Sequence, residues 1–491
     1  MAVVSSSPET HARPHKAIFP FMAKGHTIPL IHLAHHLRRH GNAAVTFITT
    51  PGNAVFVREG LSGADAAVVE LAFPADVPGI LPGVESAEGL TSMSSFAIFA
   101  EATSLLKPQL EASLARMQPP ASLLVADPFL YWTNASAARL GVPKVSFFGI
   151  SAFAQVMREL RVRHDPCATL RHGDVDADGN PATFTMPEFP HIKLTFEDFM
   201  APFGDPASIG PMLELDGKLG KAIEESQGLI INTFHGLETP YVEFWNQHVG
   251  PKAWPVGPLC LSQPASAPSD APPSWMVWLD DKAAAGRAVL YVALGTLAAI
   301  SESQLKEVAD GLERADVDFV WAVRPENVDL GQGFEERTKG RGLVVREWVE
   351  QLEILKHGSV RGFLSHCGWN SVLESVAAGV PLAVWPMHAD QPFNAKFIVD
   401  ELKIAVRVQT SDGTIRGLVT SEEVSKVVTA LMLGEEGLEA AKNVAELSAL
   451  AKEAMAEGGS SWKAVENMIS ELCVTSLHGK VEASQEQKVD L

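Results

Sequence analysis

The chain alternates short, uninterrupted apolar runs with amphipathic stretches, and it does so in two separate series. In the first half the runs lie at 16–21, 44–50, 66–73, 122–127, 144–149 and 228–234, with helical patterns at 28–41, 91–117 and 131–140. Runs that are apolar on both faces belong to strands covered on both sides, and strands separated by helices pair in parallel. The second series has runs at 288–295, 318–324, 342–347, 359–365 and 380–386, followed over 421–473 by helical patterns without a strand. Between them, 256–274 is rich in Pro, Ser and Ala and has no apolar period, as expected of a linker. The reading is α/β: two doubly wound Rossmann-like domains, 1–255 and 275–477, facing across a cleft, with a polar tail at 478–491. The last helices are expected to pack back on the first domain. Length supports this, since 491 residues at roughly 150 per domain leave each half enough chain for its own core. No internal repeat is visible. The segment 165–210, rich in Asp, Pro, Gly and Phe, shows no period and reads as a mobile loop over the cleft.

Charge and cysteines narrow the classes. The net charge of −20 repels nucleic acid and anionic membrane, so a polyanionic ligand needs local groups to hold it. No apolar run is long enough to span a bilayer, and the opening residues lack the apolar core of a signal peptide, which predicts a cytoplasmic protein. Cys167, Cys260, Cys367 and Cys473 show no metal-ligand spacing and read as reduced thiols. A monomer is expected.

Open parallel sheets bind ligands outside the carboxyl ends of their strands. In the second half one apolar strand ends at Ser365, a turn follows through His366, Cys367 and Gly368, and a helix begins near Trp369 and stops at Gly379. A strand feeding a helix start builds an anion site from unpaired backbone N–H groups and the positive end of the helix dipole. His366, Asn370 and Ser371 add donors there. Glu374, one turn on, can accept from two neighbouring hydroxyls, as on a ribose. Trp348, at another strand end, offers a face for a nucleobase. Asp390 and Gln391, after the next strand, suit a polyhydroxylated group. Each residue alone has a plain alternative: a helix cap for Ser371, a solvated charge for Glu374, core for Trp348. Their joint placement at three strand ends favours the site.

The ordered set Trp348, Gln351, His366, Trp369, Asn370, Ser371, Glu374, Asp390 and Gln391 resembles, without a gap, the signature segment of plant secondary-product UDP-glycosyltransferases in inverting glycosyltransferase family 1. The resemblance implies a GT-B fold, with the sugar nucleotide held by the second domain and the acceptor by the first. It implies stacking of uracil on Trp348 beside Val349, ribose binding by Gln351 and Glu374, and diphosphate binding by His366, Asn370 and Ser371. Trp369, Asp390 and Gln391 would meet the sugar, and a final Gln favours UDP-glucose. The sequence departs from the family pattern twice. Glu350 stands where proline usually stiffens the loop, and Gly295-Thr296 replaces glycine-serine, keeping in Thr296 a hydroxyl for phosphate.

In the first domain, the loop Gly25-His26-Thr27-Ile28-Pro29 follows the first strand, with a helix expected to open near Ile28 and Pro29, where proline fits a first turn. His26 at that strand end can take a proton from a hydroxyl. Asp127, ending another run, can fix its tautomer and stabilise the imidazolium. A lone strand-end His is commonly structural. The resemblance, which matches Gly25-His26-Thr27-Ile28-Pro29 and Asp127 to the family's base and its partner, favours the catalytic reading. The expected reaction is inverting transfer of glucose to a hydroxyl of a small hydrophobic plant metabolite, phenolic, flavonoid or terpenoid, with no cofactor and no metal ion. Rival readings are carbon attack on a phenolic acceptor, for which Asp127-Pro128-Phe129 is a weak hint, a UDP-sugar epimerase, and a UDP-sugar-binding protein without turnover. Asp174-Val175-Asp176-Ala177-Asp178-Gly179 imitates a calcium loop, but Pro181 and Thr185 break the pattern. His32, His35 and His36 read as a helix face rather than zinc ligands. Phe96, Phe99, Phe147, Phe148 and Phe153 divide between core and acceptor surface.

Overall fold

The computed structural model describes residues 14–41, 44–200, 209–264, 272–295, 300–324 and 328–473. The first half holds β1 (His15–Phe19), β2 (Ala44–Thr49), β3 (Ala67–Glu70), β4 (Ala121–Ala126), β5 (Lys144–Phe148), β6 (Thr183–Thr185), β7 (Lys193–Thr195), β8 (Leu229–Ile231) and β9 (Ala253–Pro255). The second holds β10 (Val289–Ala293), β11 (Asp318–Ala322), β12 (Gly342–Val345), β13 (Val360–Ser365), β14 (Leu382–Val384) and β15 (Ala405–Arg407). Seven strands form one parallel sheet in the order β3-β2-β1-β4-β5-β8-β9, and six form a second, β12-β11-β10-β13-β14-β15. The chain reverses its direction of winding between β1 and β4 and again between β10 and β13, so each sheet has one switch-point crevice.

Helices cover both faces, which is why β1, β5 and β10 are buried at every position. Helix Ser460–Cys473 returns to the first lobe, packs on β4 and β9, and adds Val465 and Met468 to the core that contains Ile18, Leu30 and Val145. No helix among the described residues is long and apolar enough to cross a membrane. No disulfide joins any of the four cysteines among the described residues.

Several elements differ from the sequence reading. The three-residue strands β9 and β15 were too short to show a period. The start of the expected linker is core: Val256, Leu259, Cys260 and Ser262 are buried, and Leu259–Ser262 forms a 3-10 turn against helix Lys24–Arg39. Residues 265–271 of it lie outside the described residues, as do the polar tail and 201–208. The segment read as a mobile loop is built structure up to residue 200. There β6 and β7 pair antiparallel, and Met186, Leu194 and Phe199 are buried. The helical pattern at 91–117 is two helices, Met93–Ala102 and Lys107–Arg116, joined by a 3-10 turn. His32, His35 and His36 lie on a buried helix face, and burial holds His32 down at about 4 and His36 at about 3.

Candidate active site

Helix Lys24–Arg39 begins earlier than its proline suggested. His26 sits in the first turn, and Pro29 lies inside the helix rather than at its start. Proline has no N–H, so the Gly25 carbonyl four residues back loses its helical donor. The amide of Asn370, from the other lobe, donates to that carbonyl at 2.7 Å. A sequence feature that breaks one helix bond thereby joins the two lobes beside the catalytic candidate.

His26 Nδ1 meets Asp127 Oδ2 at 2.6 Å. Asp127 is fully buried, and its Oδ1 accepts from the Phe129 N–H at 2.9 Å, so the carboxylate is fixed before it fixes the ring. Phe21 and Phe129 meet the imidazole edge-on at 5.5 and 5.3 Å between ring centres. Burial is the largest influence on His26 and disfavours its charge. The attraction of Asp127, helped by Glu88 and Asp390, outweighs that and raises the pKa above its ordinary 6.5. With Nδ1 held by the carboxylate, Nε2 is the atom left to exchange a proton with a ligand.

Across the cleft, helix Trp369–Ala378 starts at Gly368 with no side-chain cap, leaving first-turn N–H groups for an anion. It ends at Gly379, whose φ of +74° lets its N–H close the last turn. Burial holds His366 down at about 4, so the imidazole is neutral. Gly295 and Gly368 flank that ring. A Cβ at either would stand 3.0 or 2.6 Å from it, so only glycine permits the approach. Gln351 donates to Ser371 Oγ at 2.9 Å and to Glu374 Oε2 at 2.6 Å, drawing three of the expected residues into one cluster. Tyr291 OH, 3.3 Å from Gln351 Oε1, supports it. Burial pushes Glu374 up to about 7 and Asp390 to about 6. The Trp348 indole is 42% exposed, available for stacking, and the Lys24 ammonium of the first lobe lies 4.2 Å from its ring centre. Val349 is partly buried beside it.

Other expected residues sit differently. The Trp369 indole is buried and donates to the Asn232 carbonyl at 2.8 Å, so its side chain joins the lobes. The Gln391 side chain is buried, with Oε1 accepting from the N–H groups of Met387 and His388 at 2.9 and 3.1 Å. It shapes the loop that carries Asp390. Thr296 lies outside the described residues. Among the phenylalanines, Phe96 and Phe148 line the cleft while Phe99, Phe147 and Phe153 are core.

Asn394 was not anticipated. Its amide donates to the Cys367 carbonyl at 3.1 Å and to Asp390 Oδ2 at 2.7 Å, while its Oδ1 accepts from Ser151 Oγ of the first lobe at 2.8 Å. It ties together two loops whose Cys367 and Ala389 have φ of +66° and +54°, conformations that cost a side-chain-bearing residue about 1–2 kcal/mol. Its helical spacing from Asp390 was the only available signal. Between the lobes lies a cavity of about 880 Å³ bounded by His26, Phe96, Phe129 and Phe148 on one side and Trp385 and Asp390 on the other.

Two facing Rossmann-like sheets, an uncapped helix start with ribose-type acceptors beside it, and an imidazole–carboxylate pair opposite define a GT-B nucleotide-sugar-dependent transferase. The comparisons agree. Residues 265–456 match the family model for UDP-glucoronosyl and UDP-glucosyl transferase. The chain is 44% identical to UDP-glycosyltransferase 90A1 of Arabidopsis thaliana, covering 94% of this chain and 96% of that protein. The Glycyrrhiza uralensis UGT73P12 structure, complexed with glycyrrhetinic acid 3-O-monoglucuronide, superposes with a TM-score of 0.83 at 30% identity, covering 97% of this chain and 99% of that one. Phytolacca americana UGT2, complexed with UDP-2fluoro-glucose and pterostilbene, gives 0.76 at 29% identity, covering 94% and 99%. The chain belongs to the plant UDP-glycosyltransferases of inverting glycosyltransferase family 1 and is an enzyme that transfers a glycosyl group from a UDP-sugar to a plant metabolite.

Proposed function

We propose that the donor is UDP-glucose, that the acceptor is a hydroxyl of a small hydrophobic phenolic or terpenoid metabolite, and that His26 is the base. The observation that carries this is the His26–Asp127 pair set opposite the uncapped start of helix Trp369–Ala378, with Asn370 bonded to the Gly25 carbonyl next to the base. As the acceptor oxygen attacks the anomeric carbon, its proton passes to His26 Nε2 and Asp127 stabilises the imidazolium. The bond from that carbon to the diphosphate oxygen breaks on the opposite face, so configuration inverts. The charge growing on the leaving diphosphate meets the first-turn N–H groups and the His366 ring. In this scheme Glu374 and Gln351 hold the ribose, Trp348 the uracil, and Asp390 the sugar hydroxyls. Charge is met by fixed donors, so the scheme calls on no metal ion.

Glucose is supported by the signature ending in Gln391 and by the UDP-2fluoro-glucose named in the UGT2 complex. A hydrophobic acceptor is supported by the phenylalanine-rich wall of the cavity. The test is to incubate the purified chain with UDP-glucose and a panel of plant phenolics and terpenoid alcohols. Acceptor-dependent UDP release with an acid-labile β-glucoside supports the proposal. An acid-stable product would replace oxygen attack by carbon attack, and UDP-sugar interconversion without acceptor would replace transfer altogether.

A further inference from the structure

The cavity is apolar around most of its wall, yet helices Ala152–His164 and Ile209–Glu224 place a guanidinium in it. Arg158 Nε donates to Asp216 Oδ1 at 2.5 Å, and its Nη2 donates to the Asp216 carbonyl at 2.6 Å. Asp216 is further engaged, because its Oδ2 accepts from Arg161 at 3.2 Å. These bonds hold the Arg158 fork rigidly by one edge. Its Nη1 has no hydrogen-bond partner among the described residues and is not sealed in the protein. Gly220 leaves the guanidinium room, since a Cβ there would stand 3.3 Å from Nη2.

The other charges facing the cavity divide by sign. Glu88 is engaged: its Oε1 accepts from the Lys24 N–H at 2.6 Å and its Oε2 accepts from the Ser86 hydroxyl. Asp390 is held by Asn394. Arg416, which lines the cavity from the second lobe, is exposed and has no ion pair among the described residues. The acids nearest His26 are therefore committed, while Arg158 and Arg416 keep donors for a ligand. A cation with an unused planar edge in a largely apolar pocket favours a carboxylate, through charge-assisted hydrogen bonds strengthened by the dry surroundings.

We propose that Arg158 forms a carboxylate-recognition subsite, so that the preferred acceptors are hydroxylated aryl acids whose carboxylate lies remote from the hydroxyl presented to His26. This rests on the cavity being the acceptor site. Arg158 is here a specificity residue, not a catalytic one.

The test measures, by calorimetry with UDP present, the binding of 4-hydroxycinnamic acid and 4'-hydroxybiphenyl-4-carboxylic acid, each against its methyl ester. Glucose transfer to the same four compounds is followed in parallel. At least one acid should bind about tenfold or more tightly than its ester. Arg158→Met should bring that ratio close to one, and Arg158→Lys should retain part of it. Equal or weaker binding of both acids in the unaltered protein overturns the subsite whether or not Arg158→Met folds, and so does an acid preference that survives in a folded Arg158→Met or Arg158→Lys variant at full size. An acid preference that Arg158→Met abolishes, with no transfer to any compound, would leave the carboxylate subsite standing and overturn the reading of the cavity as the acceptor site.

Discussion

The two sheets share a switch-point geometry, and the same two strand ends border the cleft in each, but the residues placed there differ. After β1 and β4 stand His26 and Asp127, and after β10 and β13 stand Gly295 and His366. In the first lobe the imidazole has a buried carboxylate 2.6 Å away, and its pKa is raised. In the second, no carboxylate pairs with the ring among the described residues, and a hydrogen bond to the Ala293 backbone does not offset burial, which holds the pKa down at about 4. The group across the switch point therefore sets the charge of each imidazole: facing a carboxylate, the His26 ring holds a proton more readily, while His366, facing glycine at the neighbouring strand end, stays neutral, suited to meeting phosphate oxygens rather than to gaining charge.

Breaking the charged member of this comparison should have the largest effect. His26→Ala should lower kcat by about 10²- to 10⁴-fold with little change in the KM for UDP-glucose, measured by UDP release. On the donor side, Glu374→Ala should raise the KM for UDP-glucose about 10- to 100-fold, the size of a lost hydrogen bond to a charged group. Because burial holds Glu374 up at about 7, its carboxylate is present above that pH, and the donor KM of the unaltered enzyme should rise as pH falls through it. Gly295→Ala places a side chain at φ +83° and 3.0 Å from His366. It should weaken UDP binding about tenfold in calorimetry and lower stability by about 1–2 kcal/mol. The smallest effect is expected of Pro29→Ala, which restores an N–H to compete with Asn370 for the Gly25 carbonyl. A loss of about 2- to 10-fold in kcat/KM without loss of thermal stability would sharpen the view that this bond aligns the lobes.

The same contrast governs what could be read in the sequence. The second-lobe site is almost contiguous, from Trp348 to Gln391, and strand-to-helix turns with polar residues at helical spacing are visible in one dimension. The shared helix face of Ser371 and Glu374 followed from that spacing, whereas Gln351, which bonds to both, was assigned only by the family resemblance. The direction of the Trp369 indole did not follow from the spacing, because it is set by Asn232 from the other lobe. The first-lobe cavity is assembled from separated stretches, among them Glu88 to Phe96, Phe148 to Arg161 and Met212 to Leu219, so its two ends were legible in His26 and Asp127 but its wall was not. Pro29 was misplaced because its local preference for a helix start yielded to a contact with the second lobe. The early part of the linker read as polar because composition cannot reveal that Leu259 and Ser262 are covered by helix Lys24–Arg39.

The dependence of kcat/KM on pH for the acceptor, at saturating UDP-glucose, in the unaltered enzyme and in Asp127→Asn, bears most directly on the claim that a buried carboxylate turns His26 into the base. The imidazole must be neutral to accept a proton, so activity should rise with pH through a midpoint above 6.5 in the unaltered enzyme. Without the Asp127 charge that midpoint should move down, together with a lower plateau. Profiles that rise through the same midpoint in both proteins would contradict the account.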